Sequence, residues 1–359
     1  MVLFRVLGFS LCLIGCFTTQ AQTYKAELVI DGLEYPWSIA FLPNGDAFIT
    51  EKPGRLRYFK NKKLLPEPIT GLPKVKYRGQ GGLMGVALHP AFSDNKKLCF
   101  SYVGSDKAGT STQVSCGVFT GQRLDDVETI FVAEPRSSRA KHFGGQLAFD
   151  EANTLYLTLG DRGERQSAQN NLKHNGSLIR ITPDGSAVQG NPFVGSDDGL
   201  AEIFSTGHRN MQGIAIHPVS KQIWTHEHGP QGGDEVNINH AGKNYGWPII
   251  TYGVNYGFGT KIGEGTAKPG LEQPVHKWVP SIAPAGMMFY SGSRYPDWKN
   301  HLFVGSLKFG ELVRLQFDGE KLIDETRYFD GAYGGIRLSL IHISEPTRLD
   351  LASRMPSSA

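Results

Sequence analysis

The sequence predicts an all-β chain folded as a β-propeller. Long helical periodicity is absent, and short apolar runs alternate with turns of Gly, Pro, Asn and Asp. One strand-turn-strand signature then returns along the chain, as WSIAFLPNGDAFITE, MGVALHPAFSDNKKLCFSYV, GQLAFDEANTLYLTLGD, QGIAIHPVSKQIWTHEHG and, more weakly, AGMMFYSGSRYPDWKNHLFVGSL. The central apolar residues Ile39, Val86, Leu147 and Ile214 lie 47, 61 and 67 residues apart, a spacing suited to four-stranded blades that carry functional loops. A β-sandwich would explain the strands but not a signature that recurs around the whole chain. Propeller loops converge at the ends of a central channel, so polar motifs far apart in sequence can form one site.

Composition bounds the rest. With 359 residues, 40% hydrophobic and 20% charged, the chain has ordinary globular content and can bury a substantial core. Its formal charge of +3 is small and its Lys and Arg are scattered, which argues against a nucleic-acid partner or a membrane-surface patch. Residues 1–21 carry Arg5, an apolar run and then small residues, the pattern of an export signal too short to span a membrane comfortably. Cleavage after Ala21 would give a soluble periplasmic or secreted protein; cleavage before Cys16, in LIGC, would give a lipid-anchored one, the only route to a membrane. Beyond the signal, Cys99 and Cys116 lie in neighbouring strand-like segments, and the spacing leaves a disulfide and two buried thiols both open. Residues 338–359, LSLIHISEPTRLDLASRMPSSA, lack glycine and any strand-turn-strand unit. LIHISEPTR looks like a translated sequencing-adapter read-through, the alternative being a natural terminal helix. The organisation read from sequence is therefore a signal at 1–21, a propeller at 22–337 and a foreign tail.

Four loop segments are rich in polar groups beside apolar strands: RGQGG with Gln80, AKHFGG with His142, GHRNMQG with Arg209 and Asn210, and HEHGPQGGDEVN followed by GKNYGWP. Together and in this order they resemble the soluble aldose sugar dehydrogenases that use pyrroloquinoline quinone (PQQ), relatives of soluble glucose dehydrogenase. The resemblance covers about residues 24–337. It implies a six-bladed propeller, whose last blade would be incomplete here, and oxidation of aldoses at C1 with calcium-bound PQQ and an external electron acceptor. Monomer and homodimer remain open, as does the preferred aldose.

By this resemblance His142 is the catalytic base and Asp161, in LTLGDRG, orients its imidazole. Neutral imidazole suits removal of a hydroxyl proton near neutral pH. Gly144 and Gly145 would let a flat cofactor and a sugar approach the backbone. PQQ is planar with three carboxylates, and the resemblance assigns it Gln80, Arg209, Asn210, Tyr256, Lys308 and Arg337; arginine and lysine are the cations that carboxylates call for. Gly335 stands where the family often has a further arginine. Calcium, a hard cation, would take the backbone carbonyls of Gly229 and Pro230, and a second, structural calcium would use Glu235 and Tyr245 with Asp234. A zinc reading through His226 and His228 lacks an evident third ligand. Two other functions compete. A calcium-dependent lactonase-type hydrolase leaves Arg209, Lys308 and Arg337 without purpose, and a noncatalytic carbohydrate-binding propeller explains neither GHRN nor GGDE.

Overall fold

The computed structural model describes Tyr24 and residues 26–337. The export signal, Cys16 and the tail from residue 338 lie outside the described residues. Five four-stranded antiparallel sheets follow one another along the chain, each a meander of consecutive strands. The first blade is β1 to β4 (Pro36–Phe41, Ala47–Glu51, Arg55–Lys60, Lys63–Leu64), and the second β5 to β8 (Leu83–Leu88, Lys97–Asp106, Gly109–Phe119, Leu124–Val132). The third is β9 to β12 (Leu147–Phe149, Leu155–Thr158, Leu178–Ile181, Ile203–Ser205) and the fourth β13 to β16 (Met211–Ile216, Ile223–Glu227, Asp234–Asn239, His276–Trp278). The fifth is β17 to β20 (Pro284–Phe289, Leu302–Ser306, Leu312–Asp318, Lys321–Tyr328). The innermost strands pack in the succession β1, β5, β9, β13, β17.

The recurring signature is the first hairpin of each blade. In the first, Leu42 N–H donates to Asp46 O (2.8 Å) and Gly45, at φ +84°, makes the turn. The Asp46 carboxylate then accepts from Asn61 N–H (2.8 Å) and the Tyr58 hydroxyl (3.1 Å), tying the turn to β3. Both β1 and β2 are buried along their whole length, because the second blade covers one face of their sheet and Val29, Ile30 and Leu33 pack on the other. Apolar clusters lie between successive blades: Phe48 and Leu56 meet Leu83 and Phe100, and Val114 and Phe131 meet Leu155 and Ile179. Tyr156 and Leu178 meet Met211 and Ile223, and Trp224 and Val236 meet Met287 and Val304. Each fully buried side chain of this size contributes about 1.5–3 kcal/mol, so inter-blade packing is what holds the loop ends in register.

Among the described residues the six blades implied by resemblance are not found; these residues form five, and the last is a complete four-stranded sheet. The five sheets use residues 36–328, and the described residues on either side form no further strand. Instead, Tyr24 packs on Tyr295, Trp298 and Tyr328 of the fifth blade, while Val29, Ile30 and Leu33 pack on Ile39, Phe41 and Ile49 of the first. Among the described residues no helix is long and apolar enough to cross a membrane.

Cys99 and Cys116 are register partners on β6 and β7 and are bonded to each other, which resolves the pairing that spacing left open. Replacing both with serine should lower the melting temperature by an amount corresponding to about 2–4 kcal/mol, and reduction of the parent protein should give the same decrease.

Candidate active site

The segment joining β8 to β9 carries His142, a buried residue held at φ +52°. Three neighbours impose that backbone. Its N–H donates to Gln80 Oε1 (2.7 Å), and Gln80 N–H donates in turn to Ala140 O (2.9 Å). Arg162, itself buried, donates from Nε to Lys141 O (3.1 Å), from Nη1 to Thr110 O (3.0 Å) and from Nη2 to Arg139 O, and stacks 3.7 Å over the Phe143 ring. Gly144 and Gly145 complete the constraint. A Cβ on Gly144 would stand 2.4 Å from Thr158 O, and one on Gly145 would stand 2.7 Å from the Met84 side chain. Glycine is required there to seat the loop on β10 and β5, a reason different from the ligand approach suggested by sequence.

Asp161 follows β10 and is 0% exposed. Its N–H donates to Arg209 O (2.8 Å), beside a bridge between Gly160 and Asn210 that joins LTLGD to GHRN. The carboxylate faces His142 Nδ1 at 2.6 Å, and accepts from Gly163 N–H (2.6 Å) and from Trp247 Nε1–H (2.8 Å). Burial pushes Asp161 up, but the bonds from His142, Gly163 and Trp247 outweigh it and leave the group below its ordinary value. An ionised carboxylate only accepts, so Nδ1 is the protonated nitrogen and Nε2 keeps its lone pair. Burial pulls His142 below the ordinary imidazole value; Asp161 opposes this, and the Arg209 and Lys141 charges reinforce it. The imidazole is a neutral base at neutral pH.

Beside this pair stand two buried guanidinium groups. Arg209 is 8% exposed, donates from Nη1 to His228 O (2.9 Å) and lies 5.4 Å from the Trp247 ring, with no ion pair among the described residues. Burial lowers its pKa. Arg337 is 6% exposed, stacks 3.7 Å over the Trp37 ring and donates from Nη2 to Gln212 Oε1 (3.4 Å). Its Nε and Nη1 have no partner among the described residues, and burial brings its pKa down to about 9. Asn210 connects the two through its Oδ1, which accepts from Gln212 Nε2 (3.2 Å) and faces Gly144 N–H (3.4 Å). At Gly335 a Cβ would meet Leu307 O at 2.8 Å, so a side chain there would require the backbone to move.

Lys308 and Tyr256 are more peripheral. Lys308 is exposed, its ammonium 4.9 Å from the Phe309 ring, and Tyr256 is 68% exposed.

The proposed metal residues fall into two groups. Gly229 and Pro230 are buried in the turn from β14 to β15, which is so tight that a Cβ on Gly229 would stand 2.2 Å from Gly233 O and 2.3 Å from Gly232 O. Asp234 is a staple for that turn: its carboxylate accepts from Gly229 N–H (2.9 Å), Ser281 Oγ–H (2.5 Å), Ile282 N–H (2.9 Å) and Ala283 N–H (2.9 Å). Glu235 and Tyr245 belong to a separate buried network. Tyr245 stacks on His208, which bonds Glu227 (2.8 Å), and Asn237 donates to both Glu227 (3.2 Å) and Glu235 (3.4 Å). Burial, then the Glu227 charge, raises Glu235 well above the usual carboxylate range. The Tyr245 hydroxyl is already engaged, donating to Ile238 O and accepting from His240 N–H. Among the described residues no three His, Cys, Asp or Glu side chains are grouped to hold a metal. The zinc reading gives way to a structural one, because His226 donates to Gly286 O (3.1 Å) and His228 to Pro284 O (2.7 Å), joining the fourth blade to the fifth.

Trp247 and Arg162 were not singled out by sequence. Trp247 stands inside the GKNYGWP motif, where an indole N–H two residues from Tyr245 was the available signal. Arg162 follows Asp161 directly, and only the folded chain shows that it grips the residues around His142.

Comparison with known proteins bears on the family of the chain. A family model described as glucose / sorbosone dehydrogenase matches residues 33–339. The aldose sugar dehydrogenase YliI of Escherichia coli is 40% identical over 322 residues, covering 88% of this chain and 87% of that protein. A crystal structure of a glucose dehydrogenase superposes with a TM-score of 0.85 at 42% identity, covering 88% and 92% of the two chains. The PQQ-bound aldose sugar dehydrogenase of Streptomyces coelicolor superposes with a TM-score of 0.72 at 26% identity, covering 87% and 86%. With the family model spanning nearly all of the propeller, the chain belongs to the glucose / sorbosone dehydrogenase family.

Proposed function

We propose that the protein oxidises aldose sugars at C1 to the lactone, with PQQ and calcium as its resident groups and an external acceptor for the electrons. The observation that carries this reading is a neutral, carboxylate-oriented histidine beside two buried guanidinium groups that form no ion pair among the described residues. Buried cations without counter-ions are costly unless an anion completes the site. A planar tricarboxylate with an aromatic face fits that demand, and Trp247 and Trp37 already lie against the two arginines. The carbonyl-rich turn at Gly229 and Pro230 suits a hard cation such as calcium. Glu235 beside Glu227, in a pair whose mutual repulsion a cation would relieve, is the stronger candidate for the second calcium, whereas the Asp234 and Tyr245 side chains already serve the protein.

When bound, PQQ with calcium supplies the two-electron acceptor and the Lewis acidity that polarises it. The chain supplies the proton chemistry. Oxidation at C1 takes hydride from carbon and a proton from the hydroxyl, and His142 Nε2 is the base that takes the proton. Asp161 fixes the tautomer and stabilises the imidazolium that results. Trp247 and Gly163 keep Asp161 ionised by donating to it. The sequence has no CxxCH for haem attachment, so the electrons leave to a separate molecule.

The reading is tested by adding PQQ and Ca²⁺ to the purified chain and following aldose-dependent reduction of a dye. Chelation of the calcium should abolish turnover, and turnover that persists without PQQ would refute the assignment. His142→Ala should lower kcat/KM by about 10²–10⁴-fold while PQQ still binds. Because the base must be neutral and burial lowers its pKa, the acid limb of the parent pH profile should lie below the ordinary imidazole value of about 6.5; a limb above that value would contradict the assigned environment. Trp247→Phe keeps the ring but removes the N–H to Asp161, and should reduce kcat by on the order of tenfold, about 1.4 kcal/mol.

A further inference from the structure

We infer that Lys52 binds a carboxylate of the cofactor, acting with Arg337 on the same anionic group at the Trp37 edge of the site. Lys52 stands just after β2 and is half-buried. Its ammonium lies 5.5 Å from the Trp37 ring, the same indole on which Arg337 stacks at 3.7 Å. It also lies 5.7 Å from the Tyr77 ring and donates to Gly79 O (3.1 Å), one residue before the Gln80 that holds the His142 backbone. Lys52 is thus on the same rim as the catalytic loop.

Two cations, Lys52 and Arg337, thus lie over the same indole. Among the described residues neither Lys52 nor Arg337 forms an ion pair. The adjacent Glu51 is engaged elsewhere, by Arg55 (2.6 Å), by Arg57 (3.4 Å) and by Glu34 N–H (2.5 Å). Burial and then the Arg337 charge bring Lys52 down to about 8, the sign of a cation that lacks a counter-ion. Within the same cluster Arg337 Nε and Nη1 and the Trp37 Nε1–H are buried donors without acceptors among the described residues. Donors of this number and charge around one indole call for an anion with several acceptor oxygens, which a carboxylate provides. Crowding fixes the position, since a Cβ on Gly82 would stand 2.2 Å from Lys52 O.

This inference rests on the PQQ reading and is tested apart from turnover. The full chain with Ca²⁺ is titrated with PQQ, following quenching of tryptophan fluorescence, in the parent, Lys52→Gln and Lys52→Arg proteins. A charge-assisted contact predicts that Lys52→Gln raises Kd by about tenfold and that Lys52→Arg stays within about threefold of the parent. The trimethyl ester of PQQ, which presents no carboxylate, should bind the parent and Lys52→Gln proteins alike. Equal PQQ affinity in the parent and Lys52→Gln proteins overturns the inference, and so does an equal loss for the ester, which would mark Lys52 as a packing residue. A parent protein that binds no PQQ in the presence of calcium refutes the cofactor reading itself and this inference with it.

Discussion

The candidate site depends first on one buried carboxylate. Asp161 receives a hydrogen from His142 on the loop between the second and third blades, from Gly163 in its own turn and from Trp247 beyond the fourth blade's third strand. A buried charge is tolerated only when such donors surround it, and the two donors from distant segments, His142 and Trp247, are available only if the blades are in register. The carboxylate therefore couples tertiary assembly to the protonation state of one imidazole. Its backbone N–H, bound to Arg209 O, carries the same coupling to the first of the buried guanidinium groups.

The positive groups follow a complementary logic. Arg162 is buried with no ion pair among the described residues but donates to several carbonyl oxygens, so its charge is satisfied by the loop it grips. Arg209 and Arg337 are buried with fewer partners, and in Arg337 two nitrogens have none among the described residues. The first pattern is that of a structural cation, and the second is why Arg209 and Arg337 are proposed to meet a ligand. The carboxylates show the same contrast, with Asp234 saturated by four donors and Glu235 left beside Glu227.

The propeller was legible because its blades repeat one local pattern. The five copies of the strand-turn-strand signature coincide with the first two strands of the five blades, from β1 and β2 to β17 and β18. The count of six came from resemblance, whereas the described residues form five sheets. Long-range contacts were less accessible: the Trp247 bond to Asp161 spans 86 residues, and no spacing rule announces it. The Cys99 and Cys116 pairing required cross-strand register, which sequence distance does not supply. Lys52 was hidden for a different reason, since a lysine after a strand looks like a solvated end until its neighbours prove to be Trp37 and Arg337.

The central claim is that this site removes hydride from C1 of an aldose while His142 takes the hydroxyl proton. It is tested most directly by a single turnover of the protein loaded with PQQ and Ca²⁺, comparing glucose with glucose deuterated at C1 and following the quinone spectrum. The account predicts sugar-dependent reduction that is slower with the deuterated sugar, and a His142→Ala protein that binds PQQ but is reduced far more slowly. A loaded protein whose quinone spectrum is unchanged by any aldose would contradict it.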